Sequence, residues 1–457
     1  MSVLIRILLA LGWLTCVVVQ DTHADAGAQP SSPILEKLTA DVSNGDEAAV
    51  DNFWRAVDQS RVPLIEQPAG DASTDVLMTF LWRAAEDQAN VRVIPGELTP
   101  YGQVGDPLMH LAKTDVWYRT YRVSRKARFT YYLAWPRGET PRADTIYPMS
   151  ADNGIAYETV ADPRARWTYA QEREGVRRLF SYAEGPEAPV EPFVAFRNGI
   201  ERGNVETIDV DSQVLSNQRK VSIYTPPGYQ KNRAAYGLLL MFDRRSYMSD
   251  VPTPTILDNM IADKVIPPMV AVLIDSRVTN DPDGDARSRE LPPNPNYQRF
   301  LREELLPLIR KRYHVSDDPK RNVVAGSSYG GLAAAYTALS NPREFGNVIS
   351  QSGSYWWSPE CCRSSPVVFL TEHSGWLIKE FASKPRQPTR FYLDVGLWEG
   401  ADMLMPNRIL RSVLEGKGNE VTYREFTGGH DYVIWRNTLS DGLIELIGTR
   451  CSPHCRR

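Results

Sequence analysis

The sequence predicts two modules in succession, a β-sandwich and then a mostly parallel β-sheet flanked by helices. Short β-branched and aromatic segments separated by turn-forming residues follow one another between residues 76 and 133, which is typical of a sandwich. Beyond about residue 193, continuous apolar segments alternate with helical patterns, as expected for strands buried on both faces of a sheet. The chain has 457 residues, of which 42% are hydrophobic, so it carries enough apolar material for both cores.

Residues 1–26 have the pattern of a secretory signal peptide. One early cation, Arg6, is followed by an apolar segment up to Val19 and then by Ala24-Asp25-Ala26, which matches the basic start, apolar centre and A-x-A ending of such signals. We expect this segment to be cleaved, leaving a periplasmic protein without stable membrane insertion. An uncleaved membrane anchor is the alternative, because the apolar segment approaches the length that spans a bilayer.

Cleavage would leave four cysteines: Cys361, Cys362, Cys451 and Cys455. An even number of cysteines in an oxidising compartment predicts two disulfides. A bond between the adjacent Cys361 and Cys362 would be strained, so bonds from this pair to the carboxyl-terminal pair are favoured. Unpaired surface thiols are the alternative.

The first module is assigned to residues 51–190, after a lead segment at 27–50 with a weak helical pattern. A proline-rich stretch from Tyr182 to Pro192 is the candidate connection to the second module. The predicted strands of the sandwich are Val76–Trp82, Asn90–Ile94, Val116–Tyr121 and Ala127–Leu133.

The second module is assigned to residues 191–457. Helical patterns between its strands include Tyr297–Arg312 and Leu332–Leu339. In sheets of this kind ligands bind beyond the carboxyl ends of the strands, so catalytic residues are expected there. The predicted strands are Lys220–Tyr224, Gly237–Asp243, Val270–Asp275, Asn322–Ala325, Val348–Gln351, Arg390–Val395 and Val421–Phe426.

A G-x-S-x-G motif, Gly326-Ser327-Ser328-Tyr329-Gly330, lies between a predicted strand and a predicted helix. This context is that of the nucleophile elbow of an α/β hydrolase, in which a sharp turn presents the serine above the sheet. Ser328 is therefore the candidate nucleophile, and the Tyr329 backbone amide a candidate oxyanion donor. A turn of small residues without chemistry is the alternative interpretation.

A serine nucleophile needs a histidine base and an acid that orients the histidine. His430 follows the last predicted strand, in the place and chain order expected of the base. Glu399 is the preferred acid because it lies just past the preceding strand, and Asp402 and Asp394 remain alternatives. The second oxyanion donor is expected after an earlier strand, where the Arg244 amide fits.

The composition excludes several other classes of function. Lys and Arg number 52 against 56 Asp and Glu, giving a formal net charge of −4, and no basic run offers the concentrated positive surface that nucleic-acid binding requires. The six histidines are dispersed and show no His-x-x-x-His spacing. We therefore predict neither a metal centre nor a cofactor.

Around these residues, over about 50–445, the chain resembles the enterochelin (enterobactin) esterase family of α/β hydrolases. In the first module the similar stretches are MTFLWR (Met78–Arg83) and TDVWYRTYRV (Thr114–Val123). In the second module they are VSIYTPPGY (Val221–Tyr229), LLLMFD (Leu238–Asp243), RSREL (Arg287–Leu291), ELLPLI (Glu304–Ile309), AGSSYGGLAA (Ala325–Ala334), SQSGSYWW (Ser350–Trp357) and GGHDYVIWR (Gly428–Arg436).

The resemblance implies hydrolysis of the ester bonds between N-acylated serines in a macrocyclic tricatecholate siderophore, free or iron-loaded. By motif position it implies Ser328 as nucleophile, His430 as base and an acid near Glu399. The chain departs from the family at one point, because the usual Asp-Gly after the early strand is here Asp243-Arg244. Family members are often cytoplasmic, so the apparent signal peptide indicates a periplasmic member.

An iron–tricatecholate complex is anionic and aromatic, so its site is expected to offer guanidinium groups and flat rings. The candidates for substrate binding follow two predicted strands and are Arg277, Arg287, Arg289, Trp356 and Trp357. Surface ion pairs with acids such as Glu290 are the alternative role for the arginines, and ordinary packing is the alternative for the tryptophans.

Two rival functions follow from the same sequence. The first retains the fold but changes the substrate, to feruloyl or other acyl esters, or to acyl transfer. The second is a non-catalytic siderophore-binding protein that keeps the elbow only as architecture. Ser328 separates the second rival from the others, since a binding protein does not need its hydroxyl.

Overall fold

The computed structural model describes nine segments of the chain: residues 30–68, 74–84, 90–99, 103–138, 145–150, 155–173, 175–279, 286–360 and 375–449. The predicted signal peptide and the four cysteines with predicted disulfides lie outside these residues. Within the nine segments, none of the helices is both long enough and apolar enough to cross a membrane.

Two helices precede the first sheet, α1 (Pro33–Ser43) and α2 (Ala49–Ser60). Ser32 caps α1, because its hydroxyl accepts a hydrogen bond from the Leu35 amide at 3.3 Å, and proline occupies the first helical position, where its missing N–H costs nothing. Both helices turn apolar side chains, such as Leu38 and Trp54, into the core of the first module. They are therefore part of that module's packing.

The first module is a sandwich of two antiparallel sheets around one shared core. The order of the first sheet is β1-β2-β6-β5; in the second, the order β10-β11-β7-β3-β4 is extended by β9, which pairs with β7 and β8. Phe80, Phe129 and Tyr131 meet between the sheets and are fully buried. The strands are β1 (Leu64–Glu66), β2 (Asp75–Arg83), β3 (Arg92–Ile94), β4 (Asp106–Pro107), β5 (Met109–His110), β6 (Val116–Ser124), β7 (Arg128–Pro136), β8 (Tyr147–Ser150), β9 (Ala156–Val160), β10 (Trp167–Arg173) and β11 (Val176–Glu184).

The second module is built on an eight-stranded sheet of order β12-β13-β15-β14-β16-β17-β18-β19. From β15 to β19 every neighbouring pair in this order is parallel, whereas β12 and β13 are antiparallel to their neighbours. The strands are β12 (Asn204–Ser212), β13 (Asn217–Thr225), β14 (Gly237–Met241), β15 (Met269–Ile274), β16 (Val323–Ser327), β17 (Asn347–Gln351), β18 (Arg390–Gly396) and β19 (Val421–Phe426).

Helices cover both faces of this sheet. Alternate residues of each central strand enter opposite cores, so that Leu238 and Leu240 lie in one and Leu239 and Met241 in the other, as the two-residue period of a strand requires. The helices are α3 (Arg244–Met248), α4 (Thr253–Ala262), α5 (Ala286–Glu290), α6 (Pro295–Arg299), α7 (Leu306–Arg312), α8 (Tyr329–Ser340), α9 (Trp376–Ser383), α10 (Ala401–Gly416) and α11 (Tyr432–Ile447). A π-helical segment, Phe300–Leu305, joins α6 to α7.

The first module contacts the second beside the loop that follows β19. The Asp431 carboxylate accepts hydrogen bonds from the Thr130 amide at 2.6 Å and from the Thr130 hydroxyl at 2.9 Å. Glu191 pairs with Arg436 of α11 in a bidentate contact at 2.7 and 2.6 Å, and it also lies 3.3 Å from Arg128 of β7 in the first module. These charge-assisted contacts fix one module against the other at the carboxyl edge of the parallel strands.

Candidate active site

Ser328 stands on the turn between β16 and α8. Its backbone angles are φ 59° and ψ −124°, a region that non-glycine residues adopt at a cost of about 1–3 kcal/mol. A Cβ at Gly326 would lie 2.6 Å from the backbone of Gly330, so the turn is too tight for a side chain there. The half-buried Ser328 hydroxyl lies 3.4 Å from that of Ser354. This geometry is that of a strained nucleophile elbow.

His430 and Glu399 form a hydrogen-bonded pair at the same edge of the sheet. His430 Nδ1 lies 2.6 Å from Glu399 Oε2, and the side-chain exposures are 32% for His430 and 0% for Glu399. The other carboxylate oxygen accepts from the Gly396 amide at 2.7 Å and from the Ser352 hydroxyl at 2.5 Å. Because Glu399 accepts at Nδ1, the neutral imidazole carries its proton there and Nε2 is free to act as a base.

The structure brings Glu399 to His430, and places the other two candidate acids differently. Asp402 is exposed in the first turn of α10. Asp394 lies within β18 and is fully buried. Burial raises the pKa of the Asp394 carboxyl to about 8, so this group is neutral at physiological pH and is not an ionised partner for the imidazole.

Asp394→Asn is expected to stabilise the protein increasingly as the pH rises. The folded-state pKa of Asp394 is about 8 against an ordinary value of 3.8, so the stability that this carboxyl supports is complete below pH 3.8 and is lost as the pH approaches 8. Asparagine does not titrate, and its advantage should therefore grow by roughly 4 kcal/mol between pH 5 and 8. Urea unfolding of both proteins at several pH values measures this gain, and a pH-independent difference would contradict it.

The two candidate oxyanion donors, Tyr329 and Arg244, each occupy the first position of a helix, α8 and α3. Asp243, which precedes α3, adopts a left-handed conformation with φ 54°. The Arg244 side chain donates from Nε to the Ser222 hydroxyl at 2.6 Å and from Nη1 to Asp275 at 3.3 Å. The guanidinium is therefore held against β13 and the end of β15.

The three candidate substrate-binding arginines have different surroundings. Arg287 forms a bidentate pair with buried Asp243 at 2.8 and 2.7 Å and lies 5.6 Å from the Tyr329 ring, so it braces the loop of the second oxyanion donor. Arg277 is exposed after β15 and lines a cavity that also includes His430. Arg289 is exposed on α5.

The two candidate tryptophans also differ. The Trp356 ring lies 5.8 Å from that of Tyr329, and its indole N–H donates to the Met403 sulfur at 3.1 Å. Trp357 instead packs edge-on against Trp376 at 6.2 Å beside the main core. Of the two, Trp356 is the ring that contacts a residue of the nucleophile elbow.

A cavity of about 570 Å³ lies between the two modules. The sequence does not predict that the first module lines this cavity. Glu97 on a 3₁₀ turn, Tyr132 on β7, and Arg178 and Phe180 on β11 come together only in the folded structure. The residues that line the cavity include Gly96, Glu97, Thr130, Tyr132, Tyr169, Arg178 and Phe180 from the first module and Arg245, Asp250, Arg277, His430, Asp431 and Tyr432 from the second.

Comparison with known proteins identifies both modules. Residues 212–446 match the model of a family described as "Putative esterase", and residues 77–194 match that of the enterochelin esterase amino-terminal domain. An iron(III) enterobactin esterase of Dickeya dadantii is 29% identical, with 92% of this chain and 97% of the relative covered. An iron(III) salmochelin esterase of Escherichia coli O6:H1 is 27% identical, with 91% and 98% covered.

Solved structures give the same result. Ferric enterobactin esterase from Salmonella typhimurium aligns with a TM-score of 0.70 and 26% identity over 87% of this chain and 98% of that one. Enterobactin esterase from Shigella flexneri, crystallised in the presence of enterobactin, aligns with a TM-score of 0.66 and 27% identity over 87% and 97%. The predicted fold class, an α/β hydrolase module after a β-sandwich, is confirmed. The esterase model spans more than half of the chain, and the enterochelin esterase amino-terminal model matches the module before it, so the chain belongs to the enterochelin esterase family.

Proposed function

We propose that this protein is a serine esterase that hydrolyses the ester bonds of an enterobactin-like catecholate trilactone siderophore, free or iron-loaded. The observation that carries the proposal is the hydrogen-bonded His430–Glu399 pair, whose histidine lines a cavity that residues of the first module also line. The relatives that align with nearly the whole chain include an iron(III) enterobactin esterase and an iron(III) salmochelin esterase. Their names support this class of substrate.

The proposed reaction proceeds in two steps. The Ser328 hydroxyl oxygen bonds to the ester carbonyl carbon while its proton passes to His430 Nε2. The Tyr329 and Arg244 amides stabilise the resulting oxyanion, and the imidazolium is stabilised by Glu399. Collapse breaks the ester C–O bond, and His430 returns the proton to the leaving seryl oxygen. Water, deprotonated by His430, then hydrolyses the acyl-enzyme and releases a free carboxylic acid.

The cavity supplies groups suited to an anionic aromatic ligand. Tyr132 and Phe180 pack edge-on at 6.1 Å, and both line the space that contains His430. Arg178 on the same strand as Phe180, and Arg277 across the cavity, add positive charge. Catecholate rings and their negative charge are recognised by such pairs of flat rings and guanidinium groups.

Arg277→Gln is expected to raise KM for ferric enterobactin about tenfold with little change in kcat, because it removes a charge contact made equally in ground and transition states. The neutral substrate 4-nitrophenyl acetate should show no such change. Steady-state kinetics on both substrates, with Arg302→Gln on the exposed surface as a matched control, measure the difference. A tenfold rise in KM for both substrates would contradict the assignment.

Substrate preference separates the proposal from its nearest rival. We expect kcat/KM for enterobactin or its ferric complex to exceed that for methyl ferulate and for 4-nitrophenyl acetate. A preference for the ferulate would favour a feruloyl-type esterase. Formation of a transacylated product in the presence of an acceptor alcohol, in place of the free acid, would favour an acyltransferase. A protein that binds ferric enterobactin but hydrolyses none of these esters would be a binding protein.

We also propose that the protein is exported and acts in the periplasm after loss of residues 1–26. The basic start, apolar centre and A-x-A ending of that segment support this location. Cell fractionation combined with the intact mass of the isolated protein tests it. A full-length protein recovered from the cytoplasm would contradict the proposal.

A further inference from the structure

A carboxyl group from the first module reaches the loop that carries His430. Glu97 lies in a single 3₁₀ turn, Gly96–Leu98, shortly after β3. Its side chain packs directly on Gly429, where an added Cβ would lie 1.8 Å from the Glu97 carboxyl oxygen Oε2. The backbone of His430 lies beside the same carboxyl group and acts to lower its pKa. Glu97 thus contacts the backbone on which the candidate base is carried.

We propose that Glu97 is a positioning residue, through which the first module sets the location of His430 and places a carboxyl group beside its imidazole. The inference rests on the proposed function, in which His430 is the base for Ser328. In this proposal His430 has two carboxyl groups beside it, that of Glu399 in the second module and that of Glu97 in the first. Glu97 does not touch the reacting atoms in this assignment, and it acts through the histidine.

The loop that carries His430 is also attached to the first module by a second residue, Asp431. Asp431 is already bound to Thr130 through two hydrogen bonds, at 2.6 and 2.9 Å, and this link holds the loop to β7. Asp431 also caps α11 by accepting from the Val433 amide at 3.0 Å. These contacts anchor the loop without Glu97. The Glu97 carboxyl group beside His430 is therefore not needed merely to attach the loop to the first module.

The surroundings of Glu97 make its charge sensitive to pH near neutrality. It faces His430 and Asp431 on the loop after β19, and Glu399 on the loop after β18. Arg178, Arg245, Asp250 and Arg277 line the same cavity. Burial raises the pKa of Glu97, the charges of Asp431 and Glu399 add to this effect and His430 opposes it, and together they place the pKa of Glu97 at about 7. The charge of Glu97 therefore changes near neutral pH, next to the candidate base.

Ionisation of Glu97 has a defined effect on the base. The carboxylate favours positive charge on the neighbouring imidazole, and this charge develops when His430 takes the proton from Ser328. Removing the carboxylate charge should therefore slow that proton transfer.

The test is the pH profile of kcat/KM for 4-nitrophenyl acetate between pH 5 and 9, measured on the full chain. The wild type should show two overlapping ionisations. Glu97→Gln, which preserves shape and an acceptor oxygen, should show a single ionisation with its midpoint lower by about 0.5–1 pH unit, and a kcat at pH 8 reduced about three- to tenfold with KM unchanged. Glu97→Asp keeps a titrating carboxyl group and should restore two ionisations.

Thr130→Ala is the matched control, because it weakens the neighbouring anchor without removing a titrating group. It should lower kcat and leave the midpoint at its wild-type value. A wild-type profile in Glu97→Gln would overturn the proposal. An equal shift of the midpoint in Thr130→Ala would also overturn it, since loop geometry would then explain the effect. Absence of any ester hydrolysis by the wild type would instead refute the proposed function.

Discussion

Replacement of Ser328 with alanine is expected to lower kcat for ester hydrolysis by roughly 10⁴- to 10⁶-fold. The alanine enzyme lacks the oxygen that forms the acyl-enzyme, so only the residual effect of binding and of the oxyanion donors remains. Stopped assays of enterobactin opening at high enzyme concentration measure the loss. Retention of even a tenth of the activity would mean that another group attacks the ester.

Ser328→Gly provides a matched inactive control with a distinct effect on stability. Ser328 adopts φ 59° and ψ −124°, where a Cβ is strained and glycine is not. The glycine variant should therefore be as inactive as the alanine variant but more stable to urea unfolding by about 1–2 kcal/mol. Equal free energies of unfolding of the two variants would show that the backbone at residue 328 is not strained.

Glu399→Gln is expected to lower kcat by about 10³- to 10⁴-fold. The amide disrupts the Nδ1 contact, measured at 2.6 Å, so that the imidazole is no longer held in the tautomer that leaves Nε2 basic. Asp402→Asn on the exposed surface of α10 and Asp394→Asn within β18 should each keep kcat within about threefold of the wild type. Parallel kinetics on the three variants decide among the three candidate acids. A larger loss in either aspartate variant than in Glu399→Gln would contradict the assignment.

The sequence predicts the central strands of the second module well because they are buried on both faces and read as continuous apolar segments. The strand predicted at Val348–Gln351, for example, is observed as the fully buried β17 (Asn347–Gln351), and the Tyr297–Arg312 helix appears as α6, the π-helical segment and α7. Of the two edge strands, β19 is observed with its predicted bounds, whereas β12 escapes prediction. In β12, only Val210 and Ser212 are buried, so its residues show little apolar signal and its position depends on pairing with β13.

The sequence likewise predicts some residues of the candidate site and not others. Ser328, His430 and Glu399 could be placed from the sequence because each follows a parallel strand, and the ends of parallel strands meet at one edge. Glu97 and Arg178 could not. Their approach to His430 depends on the packing of two modules through contacts between residues as far apart as Thr130 and Asp431, 301 positions along the chain. No local sequence pattern predicts contacts between residues so far apart in the chain.

The most direct test of the account is incubation of the purified protein with enterobactin and with its ferric complex, followed by mass spectrometry of the products. We expect the wild type to open the trilactone and release linear trimer, dimer or monomer of the N-acylated serine. The Ser328→Gly variant, folded and at least as stable, should leave the macrocycle intact over the same period. An intact macrocycle after incubation with the wild type, or equal opening by the variant, would contradict the account.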